Sequence, residues 1–446
     1  MAGIESFPNQ ILRPDRRRLL AGLGAAALIP AIPPPVWAQA APRLALHARI
    51  DSNAEYPVKP DVLSWSINGA VRGSDYVASR GDALDFALVN DLPVPAVLNW
   101  HGFDGVSAIG ALTLKAPLAA GAREDVQISL RQAGTFMCDL RLGGDGQARP
   151  SRALPLIVNE SAAVSVDREQ ICLFEDWRLR ADRSAIAPGD DPKDTTALYT
   201  INGQPTLDVP ARANERLRFR FINGFQRAVI AVKIENLDAW VMAMDSQPAE
   251  PFLARNGAVV LAPGGRVDAF VDAAAAPGSA SQILLHDGKQ AHTLGRLLIA
   301  DGPPARAHPL PAAPPLPSNG LPDRLDLKGA SRFEVALGDP QADWATPAAF
   351  ANSSTPAFRA KPGRTVVLAL TNRANIATVF HLHGHHFRLL DRLDDGWKPF
   401  WLDTLAIEPD ATQRVAFAAE HAGHWLIEAA ATDWTAPRLV RWYAVE

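Results

Sequence analysis

Cysteine, methionine, helical periodicity and long apolar runs are all scarce in this chain, and most of these scarcities remove a class of protein. Cys138 and Cys172 are the only cysteines, too few for a disulfide framework, so both read as buried free thiols. No apolar run after the N-terminal region is long enough to span a bilayer, so no later membrane anchor is expected. A formal charge of −4 argues against a nucleic-acid partner. No nucleophile-elbow sequence supports a serine hydrolase. What is present is a chain of 446 residues, longer than one domain, whose 37 Pro and 31 Gly suit short strands joined by turns. Period-two alternation recurs at 84–88, 217–221 and 364–368, which predicts an all-β fold.

Histidine concentrates the chemistry. The segment Phe380-His381-Leu382-His383-Gly384-His385-His386-Phe387 reads as a strand, which would place residues 381, 383 and 385 on one face. Three imidazoles on one face are costly to bury unless something binds them, and neutral imidazole is the commonest metal ligand. An echo lies at Asn99-Trp100-His101-Gly102.

The echo belongs to an internal repeat. Three segments share a turn, an alternating strand and an Asn, at Asn90, Asn223 and Asn372. His101, Ile234 and His383 follow these Asn residues at one common offset, and Asn99, Val232 and His381 at another. A second half-repeat appears in Gly134-Thr135-Phe136 and Gly423-His424-Trp425. Three related β units are predicted, apolar in the middle unit where the outer two carry His. Any polar centre should therefore lie between the first and third units.

The N-terminus reads as an export signal. Asp15-Arg16-Arg17-Arg18-Leu19-Leu20 leads an apolar run to about Ile32, and Ala38-Gln39-Ala40 offers a small-residue cleavage site. The arginines fit the twin-arginine pattern, which sends folded proteins to the periplasm. An uncleaved anchor is the competing reading, and the run is short for one. A Pro/Ala-rich stretch at 303–329 reads as a semi-rigid linker expected to cross the surface between the second and third units.

On these motifs, with Thr200-Ile201-Asn202-Gly203-Gln204-Pro205 and Leu261-Ala262-Pro263-Gly264-Gly265-Arg266-Val267-Asp268 in the middle unit, the mature chain resembles a three-domain multicopper oxidase. The resemblance implies three Greek-key cupredoxin-like β-sandwiches, at 41–162, 163–302 and 330–446. It also implies a trinuclear copper cluster between the outer domains and a blue copper site in the last. Taken motif by motif, His-x-His-Gly falls on Asn99-Trp100-His101-Gly102 and keeps one ligand. The second His-x-His falls on Asp139-Leu140-Arg141 and keeps none. The third motif keeps His381 and His383 but has Thr378 at the blue-site position. The fourth falls on Glu428-Ala429-Ala430, Trp434 and Leu439, and every ligand is replaced.

The resemblance is therefore to degenerate members of the family, such as the copper-free FtsP/SufI-like proteins. It implies a periplasmic non-oxidase, envelope- or division-associated, monomeric, with an envelope or periplasmic protein as partner and no cofactor. The alternative is a copper-binding protein or oxidoreductase with a rebuilt centre, holding copper or another single transition metal at His101, His381 and His383, with Asp139 and Glu428 as further candidates. Four methionines give that alternative no Met-rich copper-sensing insertion. Arg141 is expected on the same strand face as Asp139, gripping Asp139 or Glu428 in a two-bond fork. Trp425 and Trp434 are expected to fill core volume.

Overall fold

The computed structural model describes residues 44–52, 63–68, 76–147, 149–338, 343–351, 354–391 and 396–446; the export segment read at 1–40 lies outside them. The regular structure of the described residues is nearly all strand, in six sheets that fall into three consecutive pairs. Residues from Arg43 to Glu446 pack as one compact unit.

In the first pair, a sheet ordered Leu63–Ile67, Leu44–Ser52, Ala83–Asn90, Arg123–Ser129 shares a core with one ordered Val77–Ser79, Leu154–Asn159, Gly134–Asp139, Asn99–His101. The second pair has six and five strands closed over the largest apolar cluster, from Cys172 and Phe174 to Leu297 and Ile299. In the third, the five-stranded sheet runs Arg359–Ala360, Arg438–Val445, Gly423–Ala431, Thr378–Leu382, Thr404–Ile407. Each pair opens with a strand that runs parallel to the strand carrying the repeated Asn: Leu44–Ser52 beside Ala83–Asn90, Arg168–Leu179 beside Arg216–Asn223, Ser331–Leu337 beside Thr365–Asn372. A parallel neighbour inside a mostly antiparallel sandwich requires a crossover, the mark of a Greek key.

The repeated Asn has one structural job in all three pairs. Its amide donates to two carbonyls on different segments, Val94 and Leu118 for Asn90, Ala228 and Leu261 for Asn223, Ile376 and Ile407 for Asn372. Its carbonyl oxygen accepts the N–H two residues on, from Leu92, Phe225 or Ala374. A buried side chain that satisfies three backbone groups at a corner cannot be replaced by an apolar residue without orphaning them.

The Pro-rich stretch touches all three pairs, with Leu325 buried against Val367 and Trp401 of the third. Arg216 donates to the carbonyls of Leu310 and Pro311, Arg80 to Ser318, and Asn319 exchanges two hydrogen bonds with Ala133. The expected His strand is shorter than predicted. It ends at Leu382, and Gly384, at φ +77°, breaks the alternation. A Cβ there would stand 2.3 Å from the Trp425 ring, so only glycine lets the chain turn beneath that indole.

Candidate functional site

His101 closes the strand Asn99–His101 of the first pair, and His381 lies in Thr378–Leu382 of the third. Their rings are 4.5 Å apart between centroids, and His383 is 4.5 Å from His381. Across the strands Asn99 stands opposite Asp139, and His381 opposite Glu428, so the two half-sites present matching positions to one seam. His101 Nε2 lies 3.1 Å from Asp139 Oδ2. Glu428 Oε1 accepts from Asn99 at 2.9 Å and meets His383 Nε2 at 2.7 Å. All five candidate residues are buried in this one cluster.

Burial and the neighbouring His381 push His101 down to about 4 and lower His383 as well. Burial alone would raise Glu428, but Arg438 and His383 outweigh it and hold the carboxyl well below its usual range. Asp139 is lowered against the same penalty by Arg141 and His101. The acids are thus ionised while His101 and His383 are neutral. Three buried atoms of the amide and imidazole side chains are left without hydrogen-bond partners: Asn99 Oδ1, His101 Nδ1 and His381 Nε2. The last has a definite chemistry. The Thr404 hydroxyl donates to Asp403 at 2.7 Å, so it can only accept from His381 Nδ1, 2.8 Å away. In the neutral ring the proton therefore sits on Nδ1 and Nε2 is a bare lone pair. His381, His383 and Glu428 each bring one ligand atom within 4.8 Å of the others.

Arg141 departs from the expectation. The strand stops at Asp139, and Arg141 begins a one-turn helix, Arg141–Gly144. Its backbone N–H donates to Asp139 Oδ1 at 2.9 Å, its Nε stays 3.7 Å from Asp139 Oδ2, and its guanidinium donates instead to the carbonyl of Gly224. The cation on Glu428 is Arg438, 2.6 Å from Oε2. Glu428 pairs with Val440, so Arg438 is its diagonal neighbour on the adjacent strand. Arg438, Thr404 and Asp403 lie outside the repeated motifs, and no sequence signal singled them out.

At the blue-site positions, the Thr378 hydroxyl donates to Asn372 Oδ1 at 3.1 Å, and Ala429 is a buried methyl facing Phe380 and Leu439 across its two neighbouring strands. Trp434 donates to the carbonyl of Ala187 and carries Arg178 over its ring at 5.5 Å, so it packs against the second pair. Trp425 does fill the third core. Cys138 and Cys172 are buried free thiols in the first and second cores, both raised by burial.

His385 and His386 lie apart from the cluster of His101, His381 and His383. The Tyr443 hydroxyl donates to His383 O, so His385 Nδ1 donates to it, while Nε2 accepts the N–H of His421. That neutral form agrees with a pKa that burial pushes down to about 3. His386 meets an acceptor at each nitrogen, Asp104 at 2.7 Å and the Asp245 carbonyl at 2.6 Å. Burial opposes its charge, but Asp104 outweighs that and raises it to about 9. Beside it Arg266 donates to both oxygens of Asp403, at 3.1 and 2.7 Å, and Asp245 accepts backbone N–H groups from Arg266, Asp403 and Thr404. Residues from all three pairs meet in this junction.

Residues 324–446 match the family described as multicopper oxidase. The chain is 23% identical over 429 residues to the multicopper oxidase MmcO of Mycobacterium tuberculosis, spanning 85% of this chain and 82% of that protein. It is 24% identical over 304 residues to copper resistance protein A of Pseudomonas syringae pv. tomato, spanning 54% of this chain and 49% of that one. The crystal structure of a multi-copper oxidase from Pseudomonas thermotolerans superposes with a TM-score of 0.77 at 22% identity, over 91% of this chain and 99% of that one. The last sheet pair thus matches the multicopper oxidase family, a multicopper oxidase is similar along most of the chain, and the fold is that of a solved multi-copper oxidase over 91% of it.

Proposed function

We propose that this protein is a non-oxidase member of its family, an exported envelope protein whose outer sheet pairs are joined by protein charge. The chemistry of the donor set supports the reading. A blue copper centre takes a thiolate, two imidazoles and a weak axial ligand, and Thr378, Ala429, Trp434 and Leu439 supply none of these. Three imidazoles with two arginines nearby likewise do not fit three copper ions. The observation that carries the proposal is Arg438 donating to Glu428 at 2.6 Å, a fixed cation where the family would place metal charge. Export rests on the segment from Arg16 to Ala40, and the partner would be an envelope or periplasmic protein.

The test is to express the full chain with its export segment, purify it from the periplasm and measure metal content, absorption after copper loading, and oxidation of phenols and cuprous ions. Substoichiometric metal, no intense thiolate-to-copper band and no turnover are expected; a blue band would overturn the reading. Replacing Arg16, Arg17 and Arg18 with Lys should hold the chain in the cytoplasm.

A second reading is favoured by the bare lone pair on His381 Nε2 and the unpartnered Asn99 Oδ1. In it a single transition-metal ion is held by His381, His383 and Glu428, within the 4.8 Å that separates their ligand atoms. One equivalent of zinc or copper in the purified protein, lost in His381→Ala, would select it.

A further inference from the structure

Outside the His seam, the second sheet pair carries an unclaimed cation above a ring-lined cleft. Arg178 lies near the end of the long strand Arg168–Leu179. One face of its guanidinium packs over Trp434, and its Nε is buried with no acceptor. No hydrogen bond or ion pair from this guanidinium occurs among the described residues. A planar fork of donors left unmatched in this way suits a carboxylate, which fills two of them at once.

The cleft beside it has a volume of about 580 Å³, within the usual range for a small-molecule site. Tyr199 and Phe225 stack in its wall, with centroids 5.3 Å apart and planes 15° from parallel, and His292 stands edge-on to Tyr199 at 4.7 Å. The one acid lining it, Asp287, is already saturated. It accepts from the Tyr199 hydroxyl at 2.9 Å, from the N–H groups of Lys289 and Gln290 at 2.9 and 2.8 Å, and contacts His292 Nε2 at 3.0 Å. Its charge therefore fixes the two rings in place, and the exposed Lys289 adds a second cation at the rim.

We propose that this cleft binds a small aromatic carboxylate, with the carboxylate on the Arg178 fork and the ring against Tyr199, which the fully buried Phe225 backs. The site is independent of the His seam and of whether any metal binds there. Offset stacking on a rigid aromatic wall supplies ring selectivity, and the fork supplies selectivity for two coplanar oxygens.

The test is calorimetric titration of the full chain with benzoate, against benzamide, which lacks the charge, and acetate, which lacks the ring. Benzoate should bind at least about 10-fold more tightly than either, the scale expected for a hydrogen bond to a charged group. Arg178→Met should weaken benzoate by at least about 10-fold and leave benzamide unchanged. Lys289→Glu, on an exposed loop that tolerates it, should weaken benzoate roughly threefold, as a rim charge does. The proposal is overturned if benzamide or acetate matches benzoate, if no saturable binding occurs, or if Arg178→Met keeps the wild-type affinity. Should circular dichroism show Arg178→Met unfolded, Lys289→Glu decides, and an unchanged benzoate affinity in it overturns the proposal.

Discussion

Two buried polar clusters sit close together in this molecule, and they differ in how completely they are satisfied. Around Arg266, Asp403, Asp245, His386 and Asp104, each side chain has partners, and none of its polar atoms is orphaned. Around Glu428, by contrast, Asn99 Oδ1, His101 Nδ1, His381 Nε2 and the Nε atoms of Arg141 and Arg438 have no hydrogen-bond partner. In a low-dielectric interior, complete networks rigidify a junction, while each orphan carries a desolvation cost. The first cluster reads as a lock between three sheet pairs. The second is a seam whose polar atoms protein groups satisfy only in part.

Breaking the lock should have the largest effect. Arg266→Met would leave Asp403 and Asp245 buried beside each other without their cation, at a cost of about 3–5 kcal/mol. Arg438→Met removes only one of three partners of Glu428, since His383 and Asn99 remain, and should cost about 1–3 kcal/mol. Urea unfolding of both variants gives the order. If Arg438→Met proves the more costly, the seam is the true lock and the comparison is reversed.

The lock should also show in the pH dependence. His386 is raised to about 9 in the folded chain from an ordinary 6.5. A raised histidine contributes stability that is complete below pH 6.5 and is lost as pH rises through about 9, here about 3 kcal/mol in all. Burial and the adjacent Asp403 push Asp245 up to about 6, so its loss is over before neutrality. The buried thiols of Cys138 and Cys172 are also raised and weaken the fold at alkaline pH in any variant. The measurement is therefore the difference between wild type and His386→Asn from pH 6.5 to 9. A wild-type slope no steeper than the variant's would remove His386 from the lock.

The repeat made the sandwiches readable because Asn90, Asn223 and Asn372 solve one corner problem three times, with the same amide donating to the same kind of carbonyls. The meeting of His101 with His381 and His383 followed from the same spacing. The cations did not follow. Arg438 reaches Glu428 only through the register of Gly423–Ala431 with Arg438–Val445, and a diagonal cross-strand pair has no fixed sequence separation. Arg141 failed for a local reason: the strand ended two residues before it, so the period-two argument no longer governed its direction. His386 follows Gly384, which breaks the strand and sends it to Asp104 and Asp245, away from His381 and His383.

The smallest effect tests the incomplete cluster most directly. Thr404 sits between the two regions, donating to Asp403 in the lock and accepting from His381 in the seam. Thr404→Val removes both bonds while nearly preserving shape, and should cost about 1 kcal/mol in stability. Its spectroscopic consequence is sharper. In the wild type the His381 proton belongs on Nδ1, so ¹⁵N spectra of the imidazole should show a bare Nε2. In Thr404→Val nothing holds the proton there, and the Nε2–H form should gain population because Asp403 Oδ1, 3.6 Å from Nδ1, is too far for a good hydrogen bond. A wild-type spectrum with the proton already on Nε2 would mean that the lone pair is not available. The seam would then be a second, looser lock, and the single-metal reading would lose the atom on which it stands.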